Sequence, residues 1–243
     1  MSDTGWRPLA SRLVAEFFVI VLGVLVALGV DEWREGQAEV RREIEYLESL
    51  AQDLERDIVE YEGARDFVAE SVRGIDHLLH VIGGEQPSDP LPSLAEAVRR
   101  ASWINYPAWT SGTLDELVTS GSIRLIRDPQ LKRAILDYYE SVEEWKPRIL
   151  GAEFGTFIEY RRYTAGWLPP SMSAYSGNAS AEESELDALD ATLLPRVRGN
   201  RDLFALTSAM REDWSGIAAF MRRFAADAST LRGELETAAS DMR

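Results

Sequence analysis

The sequence predicts an all-α protein in which an N-terminal transmembrane helix continues into a long-helix, four-helix-bundle-like domain. An uncharged apolar run occupies residues 17–30. Two long segments, 40–82 and 203–242, repeat apolar or small residues at alternating steps of four and three, the spacing of a helical seam. No segment alternates apolar and polar residues for long enough to indicate a sheet. The predicted organisation is a tail over residues 1–12, a transmembrane helix over 13–33 and an acidic helical bundle over 34–243.

Composition narrows the classes of function. The chain is 45% hydrophobic and 28% charged, as expected of a chain that buries a core. Its net charge of −15 repels phosphate backbones, so no nucleic acid partner is expected. The absence of cysteine excludes disulfides, a thiolate nucleophile and a cysteine metal site.

The apolar run is long enough to cross a bilayer when its flanks are included. A span needs about 20 mostly apolar residues. Leu13 to Ala15 extend the run towards the N-terminus, with Glu16 as the only charge. Trp6 and Trp33 bracket it, and tryptophan prefers membrane interfaces. We therefore predict a membrane span.

Two other interpretations of this run remain open. A cleaved signal peptide would use Ala27-Leu28-Gly29 as its small-residue cleavage site. We favour the span because the run continues directly into a helical pattern. A buried core helix is disfavoured because the run is apolar on every face.

The orientation of the span rests on a near balance of positive charge. Arg7 and Arg12 precede it, whereas Arg34, Arg41 and Arg42 follow it, so the positive-inside rule does not decide. A short basic tail usually stays in the cytoplasm, and a long domain crosses regardless of its charge. We expect the bundle on the extracytoplasmic side.

One face of the predicted span offers a packing surface. Glu16, Gly23 and Ala27 are separated by seven and four residues, which places them on the same helix face. Small residues four apart permit close contact with another span. The alternative is that Gly23 and Ala27 are incidental and that Glu16 reaches the headgroups.

The two long seams predict paired helices. The first helix ends at Gly83-Gly84 and the second covers Leu203 to Met242, and each is about 60 Å long at ~1.5 Å per residue. Arg65 interrupts the first seam, and one irregular step near Met210 interrupts the second. Antiparallel pairing would return the C-terminus towards the membrane.

Shorter helices fill the centre of the chain. A third helix begins at Asp128-Pro129, and Pro147 predicts a kink or break near residues 143–147. Gly121 predicts a helix end, and residues 168–180 predict a mobile loop. Capping boxes are predicted to open further helices at Ser93, Thr113 and Ser180.

Two segments carry a resemblance to a known family. Residues 16–35 read EFFVIVLGVLVALGVDEWRE, and residues 114–139 read LDELVTSGSIRLIRDPQLKRAILDYY. Together they resemble a family of uncharacterised bacterial single-pass membrane proteins with an N-terminal anchor helix and a helical soluble domain of unknown function. Gly29 departs from the polar residue expected at that position, and the C-terminal third carries no matching motif. The matching positions in the second segment are Leu114, Leu117, Ser120, Gly121, Ile123, Leu125, Ile126, Leu131, Ile135, Tyr138 and Tyr139.

The resemblance implies an anchor, a helical fold and a location in the bacterial inner (cytoplasmic) membrane. It supplies no activity. With the orientation argued above, the bundle is expected in the periplasm.

Two clusters are candidate partner surfaces. Trp103, Tyr106 and Trp109 concentrate aromatic rings in a predicted loop, where they either bind a partner or, as we favour, plug the end of the core. Arg161 and Arg162 lie between two tyrosines and precede Trp167. This cluster would meet anionic lipid or a carboxylate-bearing partner, and the favoured alternative is cations at a helix C-terminus.

No catalytic, cofactor or metal site is predicted. Ser120 and Ser122 flank a glycine, but no histidine lies near them in sequence. His77 and His80 share a helix face without a third metal ligand, so a solvated helix end is favoured. No phosphate loop or other cofactor motif is present.

The sequence thus predicts a non-enzymatic, membrane-anchored helical scaffold or accessory subunit. Its expected partners are the lipid bilayer and either other transmembrane subunits or copies of itself. The alternative is an extracytoplasmic sensor that holds a small ligand between helices.

Overall fold

A computed structural model describes residues 7–85, 93–103, 107–149, 155–172 and 183–243. These ranges are all-α and contain no strand. Two 3-10 turns, Ser122–Leu125 and Pro170–Met172, join the helices. The helices are α1 (Arg7–Gly83), α2 (Leu94–Ala101), α3 (Gly112–Thr119), α4 (Pro129–Ile149), α5 (Gly155–Tyr163), α6 (Glu183–Val197) and α7 (Arg201–Asp241).

Helices α1 and α7 are distant in sequence but pack as a long antiparallel pair, which we call the hairpin. This confirms the predicted pairing. Residues near the middle of α1 contact the end of α7, and residues late in α1 contact its beginning. Exposed ion pairs of this kind contribute little to stability, so they report the arrangement more than they stabilise it. The pairs are Glu48 with Arg243, Glu55 with Arg232, and Asp76 with Arg211.

The seams of both helices are buried against each other. The buried positions keep a regular four-three spacing even where the residue at a position is not strongly apolar. Thr207, not Leu206, takes the fully buried position between Leu203 and Met210, which removes the irregular step in α7. Ala64 does the same beside Arg65 in α1. The seam therefore keeps its four-three spacing by accepting small and polar residues.

Helix α1 passes from the apolar run into the bundle without interruption. Its first buried side chain in the described part is Glu43. In the part of the chain that the structure describes, no helix combines the length and apolar character needed to cross a membrane. The side chains of residues 7–15 and 18–20, which include part of the predicted span, lie outside the described residues.

The shorter helices flank the hairpin instead of completing a regular four-helix bundle. Helices α2 and α3 pack on α1, whereas α4 and α5 pack on α7. Helix α6 covers α2. None of these five helices is as long as either member of the hairpin, so different short helices pack on the hairpin at different points along its length.

Several predicted helix boundaries are confirmed and two are corrected. Gly121 has a φ of 71° just after α3, a left-handed conformation that ends the helix. Ser93 caps α2, because its hydroxyl accepts from the Glu96 amide at 3.1 Å. Thr113 is not a cap: Ser111 holds that position, and Thr113 donates its amide to Asp53 at 3.2 Å.

Pro147 does not break α4, which continues to Ile149. The proline lies in the last turn, so the helix ends only two residues beyond it. The predicted loop over 168–180 begins with an ordered turn, since Met172 is buried in the core. Ser180 and the other residues from 173 to 182 lie outside the described residues.

Candidate interaction surfaces

The apolar part of α1 is uncovered. Leu22 is 63% exposed and Val30 is 48% exposed, and the large apolar side chains described between them are similarly open. The predicted packing face is open as well, because Glu16, Gly23 and Ala27 are exposed. A side chain built at Gly23 would meet nothing within 4 Å.

The predicted aromatic surface lies against the side of the bundle. Trp103 meets Phe67 edge-on with ring centroids 5.4 Å apart, and the Arg99 guanidinium lies 4.6 Å from the Trp103 ring centre. Trp109 is half-buried and packs against the core. Tyr106 lies outside the described residues. These two tryptophans therefore close the margin of the core.

Buried carboxylates of α1 hold the segment that follows this aromatic loop. Asp57 accepts the Thr110 amide at 2.8 Å, and Glu43 accepts the Arg127 amide at 2.7 Å. Asp53 receives the Thr113 amide between them. Hydrophobic patterning alone does not single out these acids. The spacing of the seam could have identified Asp57 as buried, because it lies three residues after the buried Leu54.

A buried cluster of tyrosines surrounds Asp57. The Tyr138 hydroxyl donates to Asp57 Oδ2 at 3.3 Å and lies 3.3 Å from the Tyr61 hydroxyl. Burial raises the pKa of Asp57 and raises the pKa of both tyrosines. The Tyr139 hydroxyl has no hydrogen-bond partner among the described residues.

The histidines form no metal centre in the described chain. His80 Nδ1 lies 2.6 Å from the Asp76 carbonyl oxygen, and burial lowers the pKa of His77. Among the described residues, no group of three or more His, Cys, Asp and Glu side chains has the arrangement to hold a metal ion.

The predicted basic cluster on α5 divides into two roles. Arg161 donates from Nε to the Ser102 carbonyl oxygen at 3.0 Å, so it closes the C-terminal end of α2. Arg162 is exposed. Trp167 is half-buried, with its ring centroid 5.8 Å from that of Tyr163.

The structure also brings α5 to a segment that sequence analysis did not single out, the turn between α6 and α7. The Tyr163 hydroxyl donates to Asn200 Oδ1 at 3.0 Å. The Gly199 amide donates to the Ile82 carbonyl oxygen at 2.9 Å, which fixes the turn to the end of α1. We call this end of the bundle, residues 162–167 and 194–204, the distal tip. No sequence pattern links its two segments, because the contact is tertiary.

These features define an all-α protein built on a long helical hairpin, with an exposed apolar helix at one end and a basic tip at the other. The chain belongs to a family of unknown function, DUF6090, which matches residues 16–147. The match covers most of α1 and ends near the end of α4. It confirms the expected membership of an uncharacterised family. No curated protein and no solved structure matches the chain.

Proposed function

We propose that this protein is a non-enzymatic scaffold or accessory subunit, anchored in a membrane by the N-terminal part of α1. The exposed apolar run is the observation that supports the anchor. Moving one Val or Leu side chain out of water is favourable by about 1.5–3 kcal/mol, and the run repeats that gain over several turns. Lipid would cover the apolar side chains of the run, which the other described residues leave exposed.

The continuity of α1 fixes how the bundle stands relative to such an anchor. From Val30 to Glu43, where burial begins, the helix rises about 20 Å at ~1.5 Å per residue. The bundle would stand clear of the bilayer and present its sides and distal tip to partners. The proposal includes a location at the bacterial inner membrane with the bundle in the periplasm.

Extraction of membranes tests the anchor. We expect the full-length chain to remain in the membrane fraction after an alkaline carbonate wash. The double variant Leu22→Arg/Leu25→Arg is expected to be released, since each arginine near the centre of a span costs about 2.5–3.5 kcal/mol. The matched control, Val59→Arg/Val118→Arg, changes two exposed apolar residues of the bundle and is expected to stay bound. Release of the unaltered chain by carbonate would refute the anchor.

We further propose that the face containing Glu16, Gly23 and Ala27 docks onto another span, from a partner subunit or from a second copy. Small residues allow the close approach that drives packing between spans. Gly23→Ile is expected to reduce co-purification in mild detergent, measured by the mass of the intact complex. Gly29→Ile is the control, because Gly29 lies on a different face and is equally open. A lone monomer, or equal loss in both variants, would contradict docking through this face.

A sensor is the second candidate, and one observation supports it. Among the described residues, the Tyr139 hydroxyl is a buried donor without an acceptor. Burial is the largest cause of the raised pKa of Tyr139, and the negative charges of Asp53 and Asp57 raise that pKa further. The same charges would repel an anionic ligand, so a ligand at Tyr139 would offer neutral acceptor oxygens. Sugars, polyols and amides are the appropriate probes.

Thermal unfolding distinguishes this candidate. A probe that binds only the folded state raises the melting temperature of the full-length chain, and Tyr139→Phe would abolish the rise. No rise with any probe of this class would leave the scaffold as the better account.

A further inference from the structure

Four arginines that pair with no described carboxylate lie on the two segments of the distal tip. Arg196, Arg198 and Arg201 lie on the turn between α6 and α7, and Arg162 lies near the end of α5. All four are exposed, and none pairs with a described carboxylate. The Tyr163–Asn200 hydrogen bond brings the two segments together. A tertiary contact thus concentrates cations at one end of an acidic protein.

Arginines outnumber acids within the turn between α6 and α7. Residues 194–204 contain three arginines against one acid, Asp202. Asp202 lies in the first turn of α7, where a carboxylate stabilises the helix N-terminus. On the sides of the hairpin, by contrast, Arg211 and Arg232 are paired with carboxylates of α1.

Apolar side chains lie beside the arginines. Phe204 is 49% exposed and lies three residues after Arg201, on the same face of α7. Leu194 is 37% exposed and lies four residues before Arg198. Arginine and aromatic residues are enriched in the contact regions of protein interfaces, where the aromatic ring is buried and the charge fixes orientation.

We propose that the distal tip is a docking site for a partner protein that presents a carboxylate-rich surface around a small apolar patch. Guanidinium groups match carboxylates in bidentate geometry. They are spread over an exposed turn, an arrangement that fits a macromolecular surface better than an enclosed small anion.

The lipid that holds α1 is not the occupant. From Val30 to Ile82 the helix rises about 78 Å at ~1.5 Å per residue, far beyond the reach of a side chain and the Debye length of about 8 Å. This single step rests on the proposed anchor. The charge and composition of the tip do not depend on it.

Binding to an acidic peptide probe tests the proposal. The full-length chain in lipid nanodiscs is titrated into a fluorescein-labelled octaglutamate peptide, and into a second peptide with Trp-Leu at its centre, with anisotropy as the readout. We expect tighter binding of the second peptide. Arg198→Glu/Arg201→Glu should weaken both complexes about tenfold or more, because two attractive charges become repulsive. Phe204→Ala should weaken only the complex with the apolar centre.

Arg222→Glu is the control, since Arg222 is an exposed arginine of α7 that pairs with no described carboxylate and lies outside the tip. We expect it to change affinity by less than about twofold, because Arg222 lies about 30 Å along α7 from Arg201 at ~1.5 Å per residue, well beyond the Debye length of about 8 Å. Equal loss in the control and tip variants would overturn the proposal. So would tighter binding of polyphosphate or anionic vesicles than of the peptides, or self-association of the chain through the tip.

The same preparations separate this proposal from the anchor. Each variant is also washed with alkaline carbonate before reconstitution. If the chain stays in the membrane but the tip variants and the control bind the peptides equally well, only the docking site is refuted. If carbonate releases the chain but the tip variants still bind the peptides more weakly than the control does, only the anchor is refuted.

Discussion

Asn200 joins three helices through one side-chain amide. Its Oδ1 accepts the Leu203 amide and the Tyr163 hydroxyl, each at 3.0 Å, and its Nδ2 donates to the Arg196 carbonyl oxygen at 2.9 Å. Asn200→Ala removes the cap of α7 together with the two other bonds, so we expect a loss of about 1–2 kcal/mol or slightly more in unfolding free energy. Urea denaturation measures it.

Asn200→Asp is the control for this prediction. Aspartate keeps the acceptor oxygen for Leu203 and Tyr163 and loses only the donor to Arg196. We therefore expect a loss below about 1 kcal/mol. Equal destabilisation by both substitutions would mean that the acceptor bonds contribute little.

Asp57 makes stability depend on pH. Burial is the main cause of its raised pKa, so the folded protein favours the protonated carboxyl more than the unfolded chain does. The contribution of this group is present below its ordinary pKa of 3.8 and is lost as the pH rises through the higher folded value. Asp57→Asn cannot ionise and retains an oxygen for the Thr110 amide.

We therefore expect the stability of Asp57→Asn relative to the unaltered chain to increase as the pH rises from about 4 towards neutrality, by at most about 1.4 kcal/mol per pH unit. Urea unfolding at a series of pH values measures the difference between the two curves. A difference that does not change with pH, or that falls as pH rises, would contradict a raised pKa in the folded state.

The same residues show what hydrophobic patterning can and cannot predict. The sequence indicates which faces of α1 and α7 are buried, because Leu and Ile recur at seam spacing. It does not indicate that Asp57 and Thr207 occupy seam positions, because a polar residue is scored as an interruption. Asp57 is tolerated there because a backbone amide and a tyrosine hydroxyl satisfy its oxygens, and those partners come from distant segments.

At the scale of elements, two glycines predict opposite responses to the same substitution. Gly121 ends α3 with a φ of 71°, where a Cβ is strained, so Gly121→Ala should destabilise the chain by about 1–2 kcal/mol. Gly216 lies inside α7 with nothing within 4 Å of a built Cβ. Gly216→Ala should stabilise it by about 0.5–1 kcal/mol, since alanine loses less backbone entropy. Thermal and urea unfolding of the two variants side by side is the measurement, and a shared sign would contradict it.

Helix ends illustrate how far local rules reach. Gly84, Gly121 and Pro129 mark boundaries correctly because each acts through its own backbone: the two glycines adopt a positive φ after a helix, and the proline needs no amide hydrogen in a first turn. Thr113 was a wrong cap because Ser111 precedes it and because its amide is used by Asp53 on another helix. Tertiary hydrogen bonds therefore decide which of two nearby hydroxyl residues begins a helix.

At the scale of the whole molecule, the hairpin was predictable and the distal tip was not. Two seams of similar length must be buried, and pairing them antiparallel satisfies both. The placement of α5 beside the turn between α6 and α7 depends on tertiary contacts, namely its packing on α7 and the hydrogen bond between residues 163 and 200. No local pattern carries that information, so Arg162 could be noticed in the sequence only as part of its own cluster.

The antiparallel hairpin gives a final prediction, which the absence of cysteine makes direct to test. Glu48 pairs with Arg243, so Glu48→Cys/Arg243→Cys should be linked within one chain by a short bifunctional maleimide. Glu48→Cys/Arg211→Cys is the control, because Arg211 contacts Asp76, about 42 Å further along α1 at ~1.5 Å per residue. Intact mass after proteolysis identifies the linked peptides. Linking in the control, or links between chains only, would contradict a hairpin folded within one molecule, because the exposed ion pairs would then join neighbouring copies.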